Sequence, residues 1–299
     1  MRPSTQRTYD SHLRTWILPA LGGRTLASIT PTDVRTLVRR LTEQLAPSTA
    51  RHVHGLLSSV LRAAVEDGYL AENPAARTGP RPVRRPVVQP LTIGQVQALV
   101  EATPERFRIA VLLGGGCGLR IGEVLGLRIS AVDLDKQEVR VCAQLQALPG
   151  QPLVLRPPKS ASSARTVPLP DTVAAAIVEH LRRWPPAGGA DDLLVRTVTG
   201  RAVCPRTFHS RIWRTATTVA GLPGVRFQQL RHFYASALIR AGESAKTVQV
   251  ALGHASAVET LQTYVGLWPD HDQRTRAAID GLRLAQPTTA AATDARITG

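Results

Sequence analysis

Residues 227–264 read FQQLRHFYASALIRAGESAKTVQVALGHASAVETLQTY. The stretch brings Arg231, His254 and Tyr264 within about 35 residues of one another, in sequence whose apolar spacing is helical. Such a set asks for a chemical role: a cation to hold a phosphate, a histidine nearby, and a hydroxyl able to attack. The order is Leu230–Arg231–His232, then Leu252–Gly253–His254, then a tyrosine ten residues later. The plainer reading of Tyr264 is a packed helical tyrosine. The other tyrosines suit chemistry less well: Tyr9 sits in an apolar stripe, Tyr69 at a helix end beside Leu70, and Tyr234 three residues after Arg231 in apparent core.

Outward from this stretch, the whole chain is basic. Its 299 residues carry 37 Lys and Arg against 22 Asp and Glu, a net charge of +15 spread along the chain. A polyanionic partner follows, with nucleic acid ahead of a membrane surface. The competing reading is compositional, since only Lys136, Lys159 and Lys246 are lysine and Arg with Ala, Gly and Pro is what GC-rich coding yields. A hydrophobic content of 43% suffices for sizeable cores, and the length suits two domains. Cys117, Cys142 and Cys204 are odd in number without metal-ligand spacing, and read as reduced, mostly buried thiols of a cytoplasmic protein. No apolar run is long enough to span a membrane, and Met1–Asp10 lacks the apolar region of a secretory signal.

Residues 1–76 read as all-helical. Ser4 or Thr5 caps a first helix with Tyr9, Leu13, Trp16 and Ile17 along one stripe, ended by Leu18–Pro19–Ala20–Leu21–Gly22. Thr30–Pro31 opens a second, with Val34, Leu37, Val38 and Leu41 inward. Pro47 starts a third, with Val53, Leu56, Leu57, Val60, Leu61 and Ala64 inward. The polar faces carry Arg35, Arg39, Arg40, Arg51, His52 and Arg62, either a solvated face or a set of phosphate contacts. Residues 77–90, RTGPRPVRRPVVQP, include Arg84 and Arg85 and read as an extended basic linker, because the prolines forbid a helix.

The remainder, 91–285, mixes helices with a strand region. Thr92 caps one helix and another runs from about Glu105 to Leu113, before the glycines 114–116 and Leu119–Arg120–Ile121–Gly122–Glu123. No Gly-Lys-Ser/Thr follows those glycines, which excludes a nucleotide P-loop. Between Val132 and Leu169 the pattern alternates as strands, at Glu138–Cys142, Leu153–Leu155 and Arg165–Leu169, with Lys159 in the turn before the last. Asp171 opens a helix to Trp184, and Pro205–Val219 is a helix carrying Arg206, Arg211 and Arg214 as a stripe suited to DNA. A further helix at 272–284 and a disordered tail at 286–299 complete the reading. The expected fold is mainly α with a small antiparallel β-sheet (α+β).

The signature region, the run Gly118–Leu119–Arg120 with Glu123, and Lys159 after Pro158 together resemble the tyrosine recombinases, the phage-integrase family, of the type found in actinobacterial phages and integrative elements. The resemblance covers about residues 4–285. It implies a helical core-binding domain (1–76) and a catalytic domain (91–285) clamped around duplex DNA, with the linker between them. It also implies that the arm-site module of larger members is missing.

For the site, the resemblance implies that Arg120 and Arg231 fork onto a scissile phosphate, Lys159 protonates the leaving 5′-oxygen, His254 donates a hydrogen bond, and Tyr264 attacks to leave a 3′-phosphotyrosine. Arg35, Arg39, Arg51, Arg84, Arg85, Arg206 and Arg211 are the candidate DNA contacts. Neither cofactor nor metal nor ATP is implied. A homotetramer on paired attachment sites, with an excisionase or DNA-bending host factor, is the implied assembly. One position departs from the pattern: Gln228 stands where the family usually has histidine, and glutamine takes no proton near neutrality. Cleavage is therefore expected to be reduced, not absent. The rival readings are a remnant that binds DNA without cutting it and a type IB topoisomerase-like relaxing enzyme.

Overall fold

The computed structural model describes residues 3–81, 89–147, 150–158 and 161–264. The chain divides into two compact units, Met1–Pro86 and Val87–Gly299. In the first, α1 (Pro3–His12) passes through a π-helical segment, Leu13–Ile17, into α2 (Leu18–Leu21). Next, α3 (Pro31–Gln44) starts where Thr30 and Asp33 cap each other's backbone, Thr30 N donating to Asp33 Oδ2 at 3.0 Å. That reciprocal cap, with Pro31 in the first turn, satisfies amides the helix leaves unpaired. The long α4 (Pro47–Glu66) packs Val53, Leu57 and Leu61 among Ile17, Leu21, Val34, Leu37 and Leu41.

Two positions assigned to the apolar stripes lie outside this core: Tyr9 is 37% and Val60 44% exposed. A bundle of so few helices has too little surface to cover every apolar position it carries. Asn73 ties the end of the bundle down, its Nδ2 donating to Ser58 O at 2.9 Å while its Oδ1 accepts from Ala75 N at 2.9 Å. The chain stays attached to this unit as far as Thr78, which is buried and hydrogen-bonded to Ala75 O and to the His54 ring.

The second unit opens with α5 (Ile93–Ala102), capped by Thr92 and Gln95, then α6 (Glu105–Gly116) and α7 (Ile121–Leu125). The glycines 114–116 are the last turn of α6 and not a loop, because Phe227 and Leu230 lie against their bare backbone; a Cβ at Gly114 would sit 2.9 Å from the Phe227 ring. The strands are β1 (Val132–Asp133), β2 (Glu138–Val141), β3 (Gln144–Gln146), β4 (Val154–Arg156) and β5 (Arg165–Pro168). They form two antiparallel sheets, β1-β2-β5 and β3-β4, rather than one. The register Val139↔Val167 places valines on the buried face while Arg140 points to solvent. Gln144–Gln146 was not foreseen as a strand, since glutamines flanking one leucine show too little alternation.

Beyond the sheets come α8 (Asp171–Arg183), the single turn α9 (Pro205–Thr207), a π-helical segment Phe208–Trp213, and α10 (Arg214–Val219). The expected continuous helix over 205–219 thus has a π-wound centre, whose wider turn is local and leaves no sequence signal. Phe208 and Trp213 meet Phe227 edge-on, with ring centroids 5.9 and 5.1 Å away, and Trp213 Nε1 donates to Val225 O at 2.8 Å. Each such ring pair contributes about 0.5–1.5 kcal/mol beyond its burial. The last described helices are α11 (Gln228–Arg240), α12 (Ala245–Leu252) and α13 (Ala257–Tyr264). They enclose a small separate core of Ala235, Ile239, Val248, Leu252 and the Tyr264 ring.

The architecture is mainly α with small antiparallel sheets, of the α+β class. Of the three cysteines only Cys117 is buried, and burial pushes its thiol up to about 12; Cys142 is exposed and Cys204 intermediate. Among the described residues no helix is long and apolar enough to cross a membrane. The helix expected at 272–284 and the tail 286–299 lie outside the described residues.

Candidate active site

Arg120 owes its position to the turn before it. Gly118 has φ +65°, and a Cβ there would also come within 2.4 Å of the Tyr234 ring, so only glycine fits on both counts. From this turn Arg120 becomes the residue preceding α7, and Glu123 one turn on reaches back to it. Glu123 Oε2 accepts from Arg120 N at 2.9 Å, and Oε1 accepts from Arg120 Nη1 at 2.9 Å.

The same carboxylate meets a second arginine from the other side. Arg165, at the start of β5, donates through Nη1 and Nη2 to the two Glu123 oxygens at 3.2 and 3.1 Å. Both side chains are only 4% exposed. Arg165 further donates to Ala251 O at 2.8 Å and Ser163 O at 3.1 Å, joining β5, α7 and α12. Burial by itself would raise the Glu123 carboxyl, but the hydrogen bonds and charge of Arg165, then those of Arg120, hold it below the usual carboxylate range.

Arg231 comes from α11. Its Nη1 donates to Gly118 O at 2.9 Å and its Nη2 to Leu252 O, while its buried Nε has no partner among the described residues. Burial, then repulsion from Arg120 and Arg165, pushes the guanidinium down to about 9, so it stays charged at neutral pH. Glu123 and Tyr264 act on it in the opposite direction. Arg120 and Arg165 therefore share one carboxylate, while Arg231 feels its charge without bonding it, and the three cations leave the cluster electrically ready for an anion.

Gly253, with φ +62°, ends α12 in a left-handed turn; a Cβ there would meet Ser162 O at 2.8 Å. The turn delivers His254, whose Nδ1 lies 2.8 Å from Thr260 Oγ1 and whose backbone is clasped by Gln249. Burial, then Arg231, Arg120 and Arg165, lowers His254 to about 4, so the imidazole is neutral at pH 7. Tyr264, 1% exposed at the end of α13, places its hydroxyl 2.7 Å from His232 Nδ1, with ring centroids 5.6 Å apart. Burial, then Arg231, lowers the His232 pKa too.

A pH response follows from these histidines. Free histidine titrates near 6.5 and both folded values lie lower, so the unfolded chain binds protons more readily. The stability they contribute is complete above pH 6.5 and is lost as pH falls toward the folded values. Calorimetry from pH 7.5 to 5 should show a falling melting temperature, with a slope approaching about 1.4 kcal/mol per pH unit for each histidine engaged. A flat profile through this window would contradict the buried, neutral imidazoles.

Of the residues singled out in the sequence, Arg120, Arg231, His254 and Tyr264 come together here. Lys159 lies outside the described residues, three positions beyond the end of β4. Gln228 is the exposed first residue of α11, one turn before Arg231. Arg35, Arg39, Arg206 and Arg211 are exposed, and the half-buried Arg51 donates through Nε to Pro47 O at 3.3 Å; Arg84 and Arg85 lie outside the described residues. Sequence reading missed Arg165, 42 residues from Glu123, and the His232–Tyr264 contact. Neither pairing has a sequence signal, because nothing local marks which distant side chain meets which.

Comparison with known proteins places this geometry. The chain matches the phage integrase family model over residues 89–270 and the phage integrase central domain over residues 1–80. The integrase of Mycobacterium phage FRAT1 is 30% identical over 252 residues, covering 84% of this chain and 75% of that protein. The tyrosine recombinase XerD of Pseudomonas aeruginosa is 30% identical over 229 residues, covering 73% and 70% respectively. Among solved structures, the Tn1549 transposon integrase in complex with a circular intermediate DNA superposes with a TM-score of 0.81 at 20% identity, covering 94% of each chain. A lambda integrase dimer bound to a core site gives 0.64 at 18% identity, covering 87% of this chain and 90% of that one. At such identities the structural likeness speaks for the fold alone. The family model spans more than half of the sequence, and the chain belongs to the phage integrase family.

Proposed function

We propose that the protein is a site-specific DNA recombinase that cuts and rejoins duplex DNA through a tyrosine-linked intermediate, integrating or excising a mobile element. The observation that carries the reading is the Arg120–Glu123–Arg165–Arg231 cluster, with three buried or half-buried cations for one carboxylate beside Tyr264. A phosphodiester supplies the missing negative charge, and a non-bridging oxygen gives an acceptor to the Arg231 Nε, which has none among the described residues. Guanidinium geometry suits those oxygens, and both arginines are held by carbonyl or carboxylate contacts before substrate arrives.

In this reading the Tyr264 oxygen attacks phosphorus, the bond to the 5′-oxygen breaks, and Lys159 gives that oxygen its proton. Neutral His254 hydrogen-bonds the phosphate. The phosphotyrosine ester retains the energy of the bond it replaced, so rejoining needs no nucleotide. The enclosed Tyr264 side chain requires the site to open for the phosphate. The first unit, with Arg35, Arg39 and Arg51, is the core-binding half; the second, with Arg206 and Arg211, is the catalytic half; Arg84 and Arg85 are further proposed DNA contacts. A homotetramer on paired attachment sites is the proposed assembly, with an excisionase or DNA-bending factor setting direction.

The direct test incubates the protein with nicked half-site DNA and looks for an SDS-stable, protease-sensitive adduct. Binding with no adduct would leave only a DNA-binding remnant. Binding itself should be strongly salt-dependent: if about 8 phosphates are contacted, log K falls against log salt with a slope near −7. A slope near zero in a filter-binding titration would rule out the clamp.

A further inference from the structure

We propose that His232 is a catalytic residue in this protein, the group that takes the proton from Tyr264 as its oxygen attacks, in place of the histidine that Gln228 lacks. The inference rests on the recombinase reading above and deepens it. Its basis is contact: His232 Nδ1 lies 2.7 Å from the Tyr264 hydroxyl, the reacting atom, with Tyr264 buried and His232 half-buried. Gln228, by contrast, is exposed at the start of α11 and carries no titratable group.

The electrostatics suit an acceptor. Among the described residues, the charged and titratable groups around the His232 ring are Arg231 on its own helix, Tyr264 on α13, and His254 from the turn after α12. Burial and Arg231 keep the imidazole neutral at pH 7, so Nδ1 has a lone pair for the phenol proton. In that tautomer the hydroxyl is the donor of the pair. An incoming phosphate offsets the Arg231 charge and strengthens the hold of the imidazole on a proton. The step balances: Oη–P forms, P–O5′ breaks, the phenol proton moves to Nδ1, and the 5′-oxygen takes a proton from the separate acid. Rejoining runs the same transfers backwards. The proposal requires the Tyr264–His232 contact to persist when phosphate enters.

The test uses a suicide DNA substrate with sulfur at the bridging 5′ position of the scissile phosphate. That leaving group needs no proton, so the rate of adduct formation reports on the nucleophile. His232→Ala and His232→Asn are compared with wild type from pH 6 to 9, with melting curves for each. Wild type should be level in pH above the imidazole pKa. Both variants should lose about 10²–10³-fold at pH 7 and regain about tenfold per pH unit, as solvent base replaces the imidazole. Added imidazole should partly restore His232→Ala. If the alanine variant does not fold, the asparagine variant carries the comparison, since it keeps a polar partner for the hydroxyl but is no base. Variant rates within about threefold of wild type would overturn the proposal. So would a loss running parallel to wild type in pH without imidazole rescue, which marks a packing role. If wild type itself forms no adduct, the recombinase reading falls, and this proposal with it.

Discussion

Tyr264→Phe should abolish the covalent adduct, by at least about 10⁴-fold, while leaving DNA binding unchanged. The substitution removes one oxygen and keeps the ring that packs with Ala235, Ile239, Val248 and Leu252. Among the described contacts, its structural cost is the hydrogen bond to His232 Nδ1, about 1 kcal/mol, too little to unfold the unit. No other tyrosine is placed to substitute. Tyr9 and Tyr69 belong to the first unit and are exposed, and Tyr234 lies against Gly118 with burial pushing its hydroxyl up to about 12. Denaturing gels and gel shifts run on the same samples decide the matter. An adduct that survives in Tyr264→Phe would remove the nucleophile assignment altogether.

The second large effect is on stability. Glu123→Ala should destabilise the second unit by about 3–5 kcal/mol, because it strips the one carboxylate from between Arg165 and Arg120. Arg165 is 4% exposed, so its charge would remain in a low-dielectric setting with carbonyl partners alone. Removing one member of a buried ion pair costs far more than exchanging the whole set for apolar groups. Arg120 would also lose both contacts that orient it, so adduct formation should fall with stability. The pH behaviour supplies a control. The Glu123 carboxyl is held below its usual value, so its contribution is complete above about pH 4.5 and is lost as pH falls through the folded value. The variant should lack that acid-side component. An unfolding free energy from urea titration within about 1 kcal/mol of wild type would show the network to be incidental.

Much of the architecture was legible in the chain. Thr30–Pro31 and Thr92 marked helix starts because capping chemistry is local, and Val139, Val141 and Val167 marked a half-buried sheet because alternation is local. The π-wound segments, the helical glycines of α6 and the division into two sheets were not legible, since each depends on what packs against the segment.

The same division runs through the site. Reading the chain alone identifies the residue types available for phosphate chemistry: Arg120 in its glycine-flanked turn, Arg231 and His254 in their leucine-flanked contexts, and Tyr264 ten residues past His254. It took the folded chain to show that Arg165 shares Glu123 with Arg120, that the Arg231 Nε has no partner among the described residues, and that His232 rather than Gln228 meets the Tyr264 hydroxyl. Helix caps and strand alternation act over three or four residues and leave a pattern in the chain. Which buried charge pairs with which is set by desolvation in the assembled core, where residues 32 to 113 positions apart become neighbours.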